Sequence, residues 1–169
     1  MKIKKIISTL LNIVFVMTIL FFIFDALTEF EIKNQTIKSS IYYGLLILTP
    51  IVFIWNVLTF KTKKKRIISL ILPILTLIGI LIIGPIKIIS SSPAWRTQTV
   101  LYQNGHSNFK KVEFQMQDVG AFGYNKRTVE VTYLTDLFMF VKSVDRNIDK
   151  SVEWVRVDKD INELGLKHP

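Results

Sequence analysis

Residues 6–24, 41–60 and 67–86 hold 19, 20 and 20 residues without one charged side chain, and this restricts the fold more than any other feature of the chain. About 20 apolar residues cover the roughly 30 Å hydrocarbon core of a bilayer as a helix. Lipid offers no partner for backbone N–H and C=O groups, so such a run must satisfy them within itself. The sequence therefore predicts three transmembrane helices within residues 1–90. The first run also has a cleavable-signal reading, since Lys2, Lys4 and Lys5 precede it. It is longer than a signal core, and its exit through Phe24, Asp25, Ala26, Leu27 and Thr28 offers no small-x-small cleavage site. An uncleaved span is the expectation.

Charge is distributed to match. Residues 1–90 carry eleven Lys and Arg against three Asp and Glu, whereas residues 91–169 carry eleven against ten. Of the net +9, then, +8 belongs to the apolar part, which favours membrane topology over phosphate-backbone binding and argues against a nucleic-acid partner. Lys2, Lys4 and Lys5 before the first span, and Lys61, Lys63, Lys64, Lys65 and Arg66 between the second and third, are the topology-determining residues. Positively charged flanks stay cytoplasmic. The expected arrangement puts the N-terminus inside and everything after the third span outside. The basic link also has a lipid-binding reading, because polybasic segments feel the anionic leaflet. Holding a tight helical hairpin in place is its plainer role.

Polar residues inside the runs are candidates for interhelical contacts. Counted by helical rise, Asn12 and Asn56 fall in the inner third of the membrane, and Thr18 and Thr49 near its middle. Each pair is expected to face across the first two helices, where a hydrogen bond is worth roughly 0.6 to 2 kcal/mol. Asp25 and Lys87 come out at similar depth near the outer boundary, either paired or snorkelling to the headgroups. Pro50, Pro73, Gly79 and the Gly84-Pro85 pair are places where the helices can bend. Tyr42, Tyr43 and Trp95 read as an outer aromatic belt.

After Ser90, Ser91, Ser92 and Pro93 the hydrophobic period changes to two. Val112, Phe114 and Met116 alternate with Glu113, Gln115 and Gln117, and Val129, Val131 and Tyr133 alternate with Glu130 and Thr132. This alternation predicts half-buried strands, near 97–103, 109–118, 127–134, 137–143 and 152–158. Asn104-Gly105 suits a hairpin turn, and residues 120–125 suit a second connection. Residues 91–169 thus form a small all-β or β-rich domain, expected as an antiparallel meander. Phe109, Phe114, Phe122, Tyr124, Tyr133, Phe138, Phe140 and Trp154 are expected mostly in its core, with a ligand groove as the other use for them.

Chemistry is sparse. With no cysteine, disulfides, thiolate metal sites and a cysteine nucleophile are excluded. His106 beside a turn glycine and His168 near the end have no catalytic spacing around them. Asp158, Asp160 and Glu163, and more faintly Asp145, Asn147 and Asp149, begin like calcium loops but lack the sixth-position glycine and twelfth-position glutamate. They read as solvated acidic turns. No Walker or dinucleotide fingerprint occurs. No catalytic, metal or cofactor site is therefore expected, and the chain leans away from an enzyme.

The expected partners are the bilayer and another membrane or envelope protein, with the helices anchoring an extracytoplasmic binding domain, as in an accessory subunit of a membrane complex. An extracytoplasmic ligand sensor working through a partner is the alternative. A membrane-boundary enzyme using Asp25, Lys87 or the domain aspartates comes third. Abundant Ile, Lys and Asn suit an AT-rich bacterial genome, so a bacterial inner membrane is the expected location.

Overall fold

The computed structural model describes residues 2–144, 148 and 152–166, with only the backbone of Lys2 and Ile3. Each apolar run is helical: α1 is Lys2–Leu27, α2 is Gln35–Thr59 and α3 is Lys63–Ile83, followed by a short α4, Pro85–Ser90. The first three are long and apolar enough to cross a membrane. They extend past the uncharged runs because polar flanking residues continue the backbone ladder. The third helix breaks at Gly84, earlier than the serine cluster. Gly84 adopts φ +93°, a left-handed conformation that costs glycine little, and Pro85 then opens α4 where its missing N–H is not needed. Pro50 and Pro73 both remain inside helices.

By its contacts the chain divides into two compact units, Met1–Ile23 with Ser39–Ser92, and Phe24–Lys38 with Pro93–Pro169. In the first unit Phe22, Tyr42, Leu45, Ile80 and Ile88 pack together, with Phe22 and Tyr42 edge to face at 5.0 Å between ring centroids. Tyr42 is therefore an interior residue and not part of an aromatic belt, while Tyr43 is exposed. Around this small core, Ile6, Leu10, Ile54, Leu58, Ile67, Ile82 and many other large apolar side chains face outward. In water so wide an apolar surface would be costly, and in lipid it is the expected one.

The second unit is a six-stranded antiparallel sheet. Its strands are β1 (Phe30–Ile32), β2 (Arg96–Asn104), β3 (Ser107–Asp118), β4 (Tyr124–Tyr133), β5 (Phe138–Ser143) and β6 (Trp154–Asp160). The order across the sheet is β1-β5-β4-β3-β2-β6. Strands β2 to β5 form the meander that the alternation predicts. β6 then returns to the free side of β2, while β1, from the loop between the first two membrane helices, closes the β5 edge. β1 was not foreseen from sequence.

Local chemistry fixes the turns. The β2–β3 hairpin lies at Asn104-Gly105, but neither residue takes a positive φ. Instead the Asn104 side-chain oxygen accepts from the His106 N–H at 2.9 Å, and Gly105 N–H donates to the Glu153 carbonyl at 2.8 Å. Between β3 and β4 a 3₁₀ turn at Gly120–Phe122 is bounded by Gly120 and Gly123 at φ +64° and +85°. The Asp118 carboxylate accepts from the Gly120 N–H there.

The core of this unit departs from the expectation. Val100, Val112, Met116, Val129, Val131, Met139 and Val141 are buried, but Phe109 and Phe122 are 67% and 85% exposed, and Tyr124 and Phe140 are also exposed. Aliphatic residues and methionine fill most of the interior, with Tyr133 packed against them. Equally, Glu113, Gln115 and Gln117 do not line a solvated face, because all three are buried like Val112 and Met116 on the opposite side of β3.

Candidate functional site

The buried polar face of β3 nucleates the main side-chain network in the β domain. Side chains two apart on a strand share a face, so Glu113, Gln115 and Gln117 form a row. Antiparallel pairing sets Arg127 opposite Gln115 and Val129 opposite Glu113, while Thr97 of β2 lies opposite Gln115 on the other side. The Glu113 carboxylate accepts from the Thr97 hydroxyl at 2.7 Å, the Gln115 amide at 3.0 Å and the Tyr133 hydroxyl at 2.9 Å. The carbonyl oxygen of Gln115 in turn accepts from Arg127 at 2.8 and 3.0 Å.

Arg127 then reaches β1. Its two terminal nitrogens donate to the two Glu31 oxygens at 2.6 Å each, a bidentate geometry suited to the planar guanidinium, which also lies 4.0 Å above the Trp95 ring. Trp95 thus serves as a platform for Arg127. At the other end Lys33 donates to the Tyr133 hydroxyl at 3.4 Å, sits 4.4 Å over its ring and pairs with Glu163 at 3.4 Å. Glu163 also accepts from the Thr97 backbone N–H. Lys33 follows β1 and Glu163 follows β6, the two edges of the sheet. Their contact is made by side chains across Tyr133, and β1 and β6 themselves do not pair.

A continuous series therefore runs Glu163, Lys33, Tyr133, Glu113, Gln115, Arg127, Glu31. Its members satisfy one another, which suits a network that fixes strand register. Burial, and after it the Glu113 carboxylate, push the Tyr133 hydroxyl well above its ordinary value near 10. A proton retained in the folded state and lost in the unfolded one makes unfolding easier as pH rises. The corresponding stability is complete below about pH 10 and declines above it. Thermal unfolding between about pH 9 and pH 12 should show a shallower alkaline decline for Tyr133→Phe than for the wild type. Equal slopes would mean that Tyr133 is not the group responsible.

A second buried pair closes the segment that carries β1. Lys38 Nζ is 3.1 Å from Asp25 Oδ2, with side chains 5% and 0% exposed, and Asp25 Oδ1 accepts from the Ile32 N–H at 2.7 Å. Asn34 caps α2 by accepting from the Ile37 N–H. Asp25 thus takes its ion-pair partner from α2. Lys87 lies in α4, in the other unit.

Within the helical unit, the Asn12 and Asn56 amides exchange two hydrogen bonds of 3.2 Å, and Asn56 also donates to the Ser69 carbonyl of α3 at 3.0 Å. Thr18 and Thr49 are not joined. Each hydroxyl instead donates to the carbonyl four residues back, on Val14 and Leu45. That local acceptor is always in reach of a helical threonine.

The remaining sequence candidates do not converge. His106 is exposed in its turn, and His168 lies outside the described residues, as do Asp145, Asn147 and Asp149. Asp158 pairs with Arg156 at 2.7 Å, whereas Glu163 turns to Lys33 and Thr97. Among the described residues no three His, Cys, Asp or Glu side chains are grouped to hold a metal ion. Sequence reasoning missed Glu31, Lys33, Lys38, Glu113, Gln115 and Arg127, whose partners are remote in the chain.

Three lipid-suited helices and an open six-stranded antiparallel sheet define a multi-pass membrane protein with an N-terminal anchor and a β domain. Beyond that class, no family model, curated protein or solved structure matches the chain.

Proposed function

We propose that the protein anchors and displays its β domain outside a bacterial cytoplasmic membrane, as an interaction subunit that binds another envelope protein. The observation that carries this reading is where the aromatic residues lie. Phe109, Phe122, Tyr124 and Phe140 are exposed on a domain whose core is built without them. Aromatic side chains left outside a folded domain are available as anchors for a partner. The orientation rests on the basic residues at positions 2, 4, 5, 61 and 63–66, which are retained on the cytoplasmic side. A ligand-sensor reading has less support, since Glu113, Gln115, Arg127, Glu31, Tyr133 and Lys33 are taken up by one another.

The test uses tagged full-length protein purified from native membranes in mild detergent. A partner at fixed stoichiometry is expected, and a Phe109→Ser/Phe122→Ser variant should lose it by roughly tenfold or more. Both positions are exposed, so thermal stability should change by no more than about 0.5 kcal/mol for each substitution. Recovery of a monodisperse protein without a partner, or retention of the partner by the variant, would count decisively against the proposal.

A further inference from the structure

The helical unit contains no aspartate or glutamate at all. Its cations, Lys87 in α4 apart, nevertheless collect at one end. Lys4 and Lys5 begin α1, Lys61 follows α2, and Lys63, Lys64, Lys65 and Arg66 make up the first turn of α3. The hydrogen bonds of Asn56 to Asn12 and to the Ser69 carbonyl fix how the three helices are staggered. From that level, the rise of about 1.5 Å per residue brings Lys5, Lys61 and Lys65 into the same end layer, each roughly 6 to 11 Å away.

Only Arg66 has an evident structural use there. Its Nε donates to the Phe60 carbonyl at 2.9 Å, satisfying one of the free carbonyls at the end of α2. Lys4, Lys5, Lys61, Lys63, Lys64 and Lys65 are exposed, and none of them is in an ion pair among the described residues. α3 also has no acidic residue in its first turn. Like charges so close together repel one another, and those on α3 sit at the positive end of its dipole. Compensation must come from outside the unit. At the boundary of a lipid-facing helical hairpin, the anion at hand is a headgroup phosphate.

We propose that this basic end binds anionic phospholipid headgroups, with Lys61, Lys63, Lys64 and Lys65 as the principal ligands. A zwitterionic headgroup brings its own ammonium and offers no net compensation, so the surface discriminates by charge. Retaining cations on one side during insertion is a separate role and requires no lipid to remain bound afterwards.

The experiment is native mass spectrometry of the full-length protein in non-ionic detergent, with equimolar phosphatidylglycerol and phosphatidylcholine. Wild-type protein should retain phosphatidylglycerol in preference by roughly fivefold or more. K61Q/K63Q/K64Q/K65Q should reduce that preference to near unity. A control that removes three lysine charges from the β domain, K126Q/K142Q/K159Q, should keep it. Raising KCl from about 50 to about 500 mM should weaken the preference of the wild type, because exposed charges are screened. This arm decides the matter if the quadruple variant does not fold. Equal retention of the two lipids, a preference that survives the quadruple change, or insensitivity to salt would overturn the proposal. Complete displacement of the lipid by inorganic phosphate at about 10 mM would also overturn it and assign the surface to free phosphate.

Discussion

A Lys38→Met variant is expected to unfold its β domain more than about 10 °C below the wild type. The substitution leaves Asp25 charged, buried and without the ammonium 3.1 Å from its Oδ2. Removing one member of a buried ion pair costs about 3–5 kcal/mol, and each kcal/mol shifts a domain of this size by roughly 4–8 °C. The comparison that identifies the cause is Asp25→Asn/Lys38→Met, in which neither charge remains. Much of the loss should be recovered there, since the single variant suffers mainly from an uncompensated charge. Unfolding of full-length protein in detergent, followed by tryptophan fluorescence, gives both values. A single variant within about 2 °C of wild type, or a double variant no better than the single, would show that the pair is not holding the segment.

Glu113→Leu is the second large effect. Leucine fills a similar volume but accepts no hydrogen bond, so the Thr97 hydroxyl, the Gln115 amide and the Tyr133 hydroxyl each lose an acceptor in a site that is 1% exposed. An unsatisfied buried donor costs about 1–3 kcal/mol, and three of them place the total at about 3 kcal/mol or more. Glu113→Gln retains an acceptor oxygen and should cost markedly less. The same unfolding assay ranks them. If leucine proves as well tolerated as glutamine, the network contributes shape and not hydrogen bonding.

What could be read from the sequence follows from the range of the interactions involved. The three helices were legible because every residue of an apolar run reports on its solvent, independently of the rest of the fold. β3 and β4 were legible from the alternation around Val112 and Val129, which is a property of one strand. What that alternation could not tell is whether the second face meets water. Glu113, Gln115 and Gln117 look like a solvated row until Tyr133, Arg127 and Pro93 are placed against them, and the Pro93 carbonyl accepts from Gln117 across 24 positions. β1 was hidden for a related reason. Phe30, Glu31 and Ile32 are too few to establish a period, and what holds them is Arg127, 96 positions away from Glu31. Phe109, Phe122, Tyr124 and Phe140 misled because their size suggests a core, whereas this small sheet is filled mainly by valine and methionine.

β1 has a consequence for how the molecule can be made. A chain cut before Pro93 would still contain five of the six strands, but it would leave β5 with a bare edge and Arg127 without its carboxylate partner. During synthesis the segment bearing β1 emerges long before β6, the last strand, is complete. The sheet is therefore completed only when the strands after the third membrane helix reach a piece tethered between the first two.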